Sequence, residues 1–277
     1  MKSSRLIAII AALLPLVSSA SDWKLVWSDE FDRPGLPDPE KWGYETGFVR
    51  NEEAQLYLAN RKENTRVEGG QLIIEARKEK FTNPSYDAAS FRNNKQTCEY
   101  TSGSLTTKDK HSWTYGRFEI RANLPTGRGT WPAIFTFGIN KPLVRWPDCG
   151  EIDILEYVGF EPGLVHANVH TGKFNHTKKT GRGSMIKIDD AETAFHVYAM
   201  EWTPERMDFF VDDQKYFTCE NDKGGDASWP FDKPQYLIIN LAIGGAWGGT
   251  QGIDDAALPT RFEIDYVRIY QKAKTDS

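Results

Sequence analysis

The sequence is poor in the residues that build metal clusters and disulfide frameworks. Its 277 residues include five histidines and three cysteines, Cys98, Cys149 and Cys219. The cysteine spacings fit no zinc motif, which argues against a zinc-ribbon or disulfide-dense domain. Because three cysteines cannot all pair within one chain, one disulfide with a free thiol and three free thiols both remain open.

Long apolar runs are missing after the first twenty residues. Lys2 and Arg5 precede the apolar stretch Leu6–Val17, and Ser18–Ala20 supplies small residues. This order is typical of a secretory signal peptide, and the stretch is too short to span a bilayer. We expect residues 1–20 to be removed and the mature protein to be secreted, extracellular or periplasmic, with no membrane partner.

An excess of positive charge is also missing. The whole chain has 34 basic and 39 acidic residues. Loss of Lys2 and Arg5 leaves 32 basic residues against 39 acidic ones, a balance of −7. A mildly acidic protein binds nucleic acid poorly, so we expect no nucleic-acid partner. The same balance argues weakly against a sulfated polymer as substrate.

Helical periodicity, internal repeats and low-complexity linkers are nearly absent as well. Residues 115–122 instead alternate, with Phe118, Ile120 and Ala122 on one face and charged residues on the other. This period of two predicts a half-buried strand. Similar strands are expected at 71–77, 197–202, 207–211, 215–217, 235–243 and 261–271. The pattern predicts an all-β fold, an antiparallel sandwich or barrel, in one domain over residues 21–277.

One predicted strand, within residues 146–157, concentrates acidic side chains. Glu151 and Asp153 would share one face of the strand, whereas strict alternation would turn Glu156 to the other. A β-bulge at Ile154 and Leu155 would return Glu156 to the face of the other two acids. We therefore predict a row of three carboxylates on one face.

A row of three carboxylates suits the hydrolysis of a glycosidic bond. A retaining glycosidase needs a carboxylate nucleophile and a protonated acid about 5–5.5 Å apart. Repulsion between the carboxylates raises the pKa of one of them and keeps it protonated. The alternative is a surface strand with solvated acids. The interleaved Ile152, Ile154 and Leu155 argue against that alternative, because they would bury the opposite face.

The segment Glu151–Glu156 resembles the signature of glycoside hydrolase family 16, in its laminarinase-like form with one inserted residue. Further segments resemble the family in the expected order: Trp27–Asp32, Tyr115–Glu119, Gly129–Ala133, Asn240–Gly245 and Phe262–Tyr270. The resemblance implies a jelly-roll β-sandwich of two curved antiparallel sheets with a concave substrate cleft. It also implies retention of configuration, with Glu151 as nucleophile, Asp153 as its assisting acid and Glu156 as general acid/base.

The resemblance also implies a set of substrate contacts. The residues expected to bind sugar are Trp131, Trp146, His170, Trp247, Asn51 and Arg77. Indole rings stack well on sugars, but each Trp could instead pack in the core, and a lone His is more often structural. His166 would share the strand face of His170. Glu52 stands where the family usually has Asn, so polar contacts from position 52 are in doubt.

No cofactor is expected for catalysis, but many members of this family hold a structural calcium. The matching positions here are Glu30, Gly70 and Asp265. Calcium takes carboxylate and carbonyl oxygens. A simple salt bridge is the alternative role for the two acids.

The function implied by the resemblance is a monomeric endo-β-1,3-glucanase that acts on laminarin-type β-glucan. Two alternatives remain. The same fold could act on mixed-linkage glucan, agar or carrageenan, although the inserted residue argues against a dedicated lichenase. A non-catalytic glucan-recognition protein would typically lack the paired glutamates, which this chain retains.

Overall fold

The computed structural model describes residues 22–141 and 143–273, and the predicted signal peptide lies outside them. Within these residues, no helix has the length and apolarity needed to cross a membrane. The described part of the chain contains two short 3₁₀ helices, His176–Lys178 and Asp255–Ala257, and seventeen strands.

Ten strands form one sheet, called the outer sheet here: β1 Trp23–Asp29, β3 Leu56–Tyr57, β4 Thr65–Glu68, β5 Gln71–Thr82, β6 Thr97–Ser102, β8 Gly116–Asn123, β13 His196–Trp202, β14 Arg206–Val211, β15 Gln214–Glu220 and β17 Thr260–Lys272. Their order is β15-β14-β13-β8-β17-β5-β6-β3, with β1 paired to β17 and β4 to β5. Neighbouring strands run antiparallel except for the short pair β3 and β6.

Seven strands form the second sheet: β2 Gly43–Tyr44, β7 Ser104–Thr106, β9 Thr130–Gly138, β10 Glu151–Tyr157, β11 Leu164–His170, β12 Arg182–Lys187 and β16 Gln235–Ile243. Their order is β12-β11-β10-β9-β16-β7-β2. The predicted all-β jelly-roll sandwich is confirmed, and each predicted strand lies within or closely overlaps an observed one. Because strand ends depend on pairing partners distant in the chain, several observed strands extend beyond the predicted limits.

The hydrophobic core lies between the two sheets, because side chains that alternate on each strand meet there. Phe118 and Ile120 of the outer sheet share one buried cluster with Ile154 and Ile239 of the second sheet. The opposite face of the second sheet carries a separate, partly open cluster that includes Phe135 and Phe137. The second sheet therefore has a core face and a face that is free to line a site.

All three cysteines are buried and unbridged. Of the two alternatives that the sequence left open, the structure has three free thiols. Burial raises the pKa of each thiol, Cys98, Cys149 and Cys219. The protonated forms are therefore favoured, and the thiols act as small apolar side chains rather than as nucleophiles.

Candidate active site

The predicted bulge on β10 is confirmed. The pairing of β10 shifts register between Asp153 and Glu156 against β11, and between Asp153 and Leu155 against β9. Ile154 and Leu155, which are consecutive, both lie in the core cluster. Consequently Glu151, Asp153 and Glu156 all line one cleft on the other face of the sheet.

Each of the three acids has its own partners. The indole Nε1–H of Trp146 donates to Glu151 Oε2. Asp153 Oδ2 lies 3.2 Å from His170 Nε2. The two side chains therefore form an ion pair when the imidazole is protonated, and this pair holds the central acid.

Glu156 is held by neutral donors rather than by a cation. Asn168 Nδ2 donates to Glu156 Oε2 at 2.8 Å, and Trp131 Nε1 donates to Oε1 at 3.3 Å. These bonds fix the orientation of the carboxyl group without supplying a counter-charge. The two ends of the acidic row are thus held from opposite sides, Glu151 by Trp146 and Glu156 by Trp131.

Burial is the main cause of the perturbed pKa values in the row. It raises the pKa of Glu151, Asp153 and Glu156, and the negative charge of a neighbouring carboxylate raises each of them further. Burial alone would lower the pKa of His170, but the hydrogen bond and charge of Asp153, aided by the two glutamates, raise it to about 9. The row therefore retains protons near neutral pH beside a cationic imidazole.

The cleft has a volume of about 550 Å³. Trp131 packs edge-on against Trp247, with ring centroids 5.7 Å apart. Trp247 in turn meets His166 at 5.0 Å. Since Trp131 and Trp247 line the cleft together, they form an aromatic wall on the side of Glu156.

Most of the residues predicted to bind substrate lie in this cleft. The lining contains five of the six: Asn51, Trp131, Trp146, His170 and Trp247. Their contacts with sugar stay predictions. His166 lies opposite Glu156 in the pairing of β10 with β11, and its ring contacts Trp247 of the cleft lining.

The structure corrects the prediction that Arg77 binds substrate. On β5 the side chains of Leu72, Ile74 and Ala76 belong to the core cluster. Because side chains alternate along a strand, Arg77 points away from the core, on the exposed face of the outer sheet. There its guanidinium pairs with Glu75. The core of the sandwich separates Arg77 from the cleft, and it therefore cannot contact a sugar bound there.

Four further polar residues line the cleft and were not predicted from the sequence: Arg50, Lys141, Asn168 and His176. Asn168 could have been found, because it lies midway between His166 and His170 and therefore shares their strand face. The other three lie in connections between strands, His176 at the start of a short 3₁₀ helix, and no local pattern predicts where those connections pack.

In the observed arrangement, the two acids predicted to hold calcium are each bonded to an arginine. Arg268 donates two hydrogen bonds to Glu30, at 3.0 and 2.8 Å, and Arg121 donates one to Asp265 at 2.7 Å. Gly70 lies in an exposed turn. Among the described residues no group of three His, Cys, Asp or Glu is placed to hold a metal. The two carboxylates follow the salt-bridge alternative, and calcium stays a prediction.

The cleft of this β-sandwich contains a row of carboxylates with raised pKa values beside an aromatic wall. These are the functional groups that a glycoside hydrolase needs. One carboxylate can attack while another delivers a proton, with no redox or group-carrying chemistry required. The chain belongs to the glycosyl hydrolases family 16, whose family model matches residues 51–268. The family predicted from the sequence is thus confirmed.

Individual relatives agree with this assignment. The chain is 49% identical to a beta-glucanase of Rhodothermus marinus, over 98% of this chain and 94% of the relative. The X-ray structure of the laminarinase from Rhodothermus marinus superposes with a TM-score of 0.83 at 50% identity, covering 91% of this chain and 98% of that one. SCLam, a non-specific endo-β-1,3(4)-glucanase, superposes with a TM-score of 0.82 at 45% identity, covering 91% and 92%.

Proposed function

We propose that this protein is a secreted endo-β-1,3-glucanase that hydrolyses laminarin-type β-glucan with retention of anomeric configuration. The observation that carries the proposal is the bulge on β10, which places Glu151, Asp153 and Glu156 on one cleft face. The beta-glucanase and laminarinase names of the similar proteins support the substrate class.

In the proposed mechanism Glu151 attacks the anomeric carbon while Glu156 protonates the departing glycosidic oxygen. Burial and the charge of Asp153 raise the pKa of Glu156, which keeps the required proton on it near neutrality. Glu156, now ionised, then takes a proton from water, and the resulting hydroxide displaces Glu151 from the sugar.

Glu151 must be ionised to act as nucleophile, although burial raises its pKa. The positive charge of His170 and the hydrogen bond from Trp146 both lower that pKa and so oppose the effect of burial. Asp153 acts through His170, because it raises the pKa of the imidazole and keeps the cation beside the nucleophile. We therefore assign Asp153 as the assisting acid.

The substrate assignment is tested by reducing-sugar release from laminarin, lichenan, agarose and carrageenan. Laminarin should be cut fastest, and viscosity should fall early because internal bonds are cut. Faster turnover of agarose or carrageenan would overturn the substrate class. The control is Glu151→Ala, whose residual rate on each polymer measures contaminating activity.

Mixed-linkage glucan is a second candidate substrate, because SCLam, at 45% identity, is a non-specific endo-β-1,3(4)-glucanase. Lichenan turnover comparable to that of laminarin would broaden the proposal to both linkages. Lichenan turnover far above that of laminarin would replace it.

We further propose that the protein is exported and acts as a monomer on its β-glucan partner, with no nucleic acid or membrane involved. The basic, apolar and small-residue order of residues 1–20 supports export. N-terminal sequencing of the secreted protein should begin at Ser21, and retention of Leu6–Val17 would contradict export. Light scattering should give the mass of one chain.

A further inference from the structure

His176 lies on a turn built directly onto the end of β11, the strand that carries His170. Asn175, fully buried, caps the 3₁₀ helix His176–Lys178 by accepting from the backbone N–H of Lys178 at 3.1 Å. Its Nδ2 donates to the carbonyl of Thr171 at 2.9 Å, which ties the turn back to the strand end. The backbone that carries the His176 ring is therefore tied by Asn175 to the end of β11.

Three aromatic rings meet at this point. The ring centroid of His176 lies 5.2 Å from that of Trp146 and 5.2 Å from that of His170. Trp146 and His170 are themselves 6.0 Å apart. His176 thus touches both rings, and each of these rings is a partner of a carboxylate in the row.

The contacts of His176 are packing contacts. The ring of His176 is tilted by 35° against that of Trp146 and stands at 90° to that of His170. Burial and the charge of His170 both lower its pKa, so the ring is neutral beside the cationic His170. Two cations side by side would repel, whereas a neutral ring next to a cation is stable.

We propose that His176 is a positioning residue for the hydrolytic reaction. Its ring packs against Trp146 and His170 and restricts their movement. Trp146 in turn orients Glu151, and His170 orients Asp153. This inference rests on the proposed function insofar as it assigns Glu151 as the nucleophile. It goes beyond that function by placing control of the nucleophile on a residue that acts through Trp146 and His170.

The test compares His176→Ala with His176→Phe. Removing the ring should lower kcat by about 2- to 10-fold, the change expected from one lost aromatic contact, with KM within about twofold of the wild-type value. Phenylalanine restores a neutral ring and should recover kcat to within about twofold. Lys173→Ala, on the same loop but paired with Asp222, is the matched control and should leave kcat unchanged.

A pH profile separates positioning from a merely structural role. The Trp146 hydrogen bond lowers the pKa of Glu151, so loosening Trp146 raises that pKa. Because Glu151 must be ionised to attack, the acid limb of kcat/KM in His176→Ala should move to higher pH. Phenylalanine should restore the wild-type limb.

Several results would overturn the proposal. They are an unchanged kcat and acid limb in His176→Ala, a change confined to KM or to thermal stability, and a phenylalanine variant that behaves like the alanine one. All rates are measured on whichever polymer of the panel the wild-type protein cuts fastest. Poor turnover of laminarin would then count against the substrate assignment alone, and the His176 ratios would still decide this inference.

Discussion

Two strands of the same sandwich, β8 and β10, carry charged residues at alternate positions. The charges on β8 are paired with opposite charges, whereas those on β10 are all negative. On β8, Arg117 donates to Glu119 at 2.6 Å and to Glu201 at 2.7 Å. On β10, the row contains acids alone, and among the described residues neither Glu151 nor Glu156 pairs with Arg or Lys. The positive and negative side chains on β8 neutralise one another, whereas the carboxylates on β10 repel one another.

The pKa values follow this difference. On the outer face the Arg268 hydrogen bonds lower the pKa of Glu30, and Thr218 and Arg206 lower that of Asp208 against the effect of burial. In the cleft, burial and like charge raise the pKa of Glu151 and Glu156. Acids that stabilise the fold are thus held ionised, and acids that would perform chemistry are held close to protonation.

The largest expected loss of activity comes from removing a glutamate from the cleft, and removing one from the exposed face of the outer sheet is the control. Glu151→Ala and Glu156→Ala should each lower kcat by roughly 10²–10⁴-fold or more, because nucleophilic attack and proton transfer are both required. Glu201→Ala should stay within about twofold of wild type, because Arg117 keeps Glu119 as its partner. Reducing-sugar release measures all three.

Added azide distinguishes the roles of the two glutamates. With an activated fluoride substrate, Glu156→Ala plus azide should give a glycosyl azide of retained configuration, and Glu151→Ala one of inverted configuration. The opposite assignment of products would exchange the two roles.

Asp153→Asn tests the only ion pair in the described cleft row. The variant removes the carboxylate that raises the pKa of His170, so that pKa should fall from about 9. A hydrogen bond to a charged group is worth about 1.5–3 kcal/mol, and kcat should drop by roughly 10- to 100-fold. An NMR titration of His170 gives the pKa. If it stays near 9 in the variant, Asp153 is not its source of stabilisation.

Glu156→Gln should make the protein more stable, and more so as the pH rises. The pKa of Glu156 is raised in the folded state, so ionising it above its ordinary value of 4.5 costs folding free energy. Glutamine removes that cost and keeps one acceptor oxygen. We expect little change at pH 4.5 and a gain of at least about 1 kcal/mol at pH 8, or roughly 2–4 °C in Tm. A loss of stability at pH 8 in calorimetry would contradict this prediction.

Arg268→Ala on the outer face should show the reverse trend, with a smaller amplitude. The pKa of Glu30 is lowered in the folded state, so its stabilisation is present above 4.5 and is lost as the pH falls. Because both side chains are about one-third exposed, at 35% and 36%, the loss at neutral pH should be under about 1 kcal/mol. A larger loss at pH 3 than at pH 7, seen by thermal denaturation, would reverse the interpretation.

The smallest effect is expected from a chelator. Since arginines already neutralise Glu30 and Asp265, chelation should leave the Tm of the wild-type protein within about 1 °C. A clear drop in Tm, together with bound calcium in elemental analysis, would support the calcium prediction against the ion pairs.

The sequence predicted the acidic row because its evidence is local. Alternation placed Glu151 and Asp153 on one face, and the two adjacent apolar residues Ile154 and Leu155 identified the bulge that the structure contains. The hydrogen-bond partners of the three acids were harder to predict from the sequence. Asn168 reaches Glu156 only because β11 pairs with β10, and pairing between strands is a long-range property that spacing alone does not specify.

Arg77 and His176 show why the remaining site residues could not be predicted. Arg77 follows a run in which both Ile73 and Ile74 are apolar, so alternation alone does not say which face turns inward. His176 sits on a capped turn whose contact with Trp146 joins two loops. Such contacts arise from tertiary packing, and a single sequence carries no periodic signal for them.

We propose that the acidic row on β10 divides into a nucleophile, Glu151, and a proton donor, Glu156. The most direct measurement is the anomeric configuration of the product first formed from laminarin, followed by NMR before mutarotation. The β-configured reducing end should appear first, because two displacements at one carbon restore the original configuration. A product that appears first in the α configuration would contradict the two-step mechanism and the assignment of Glu151 as nucleophile.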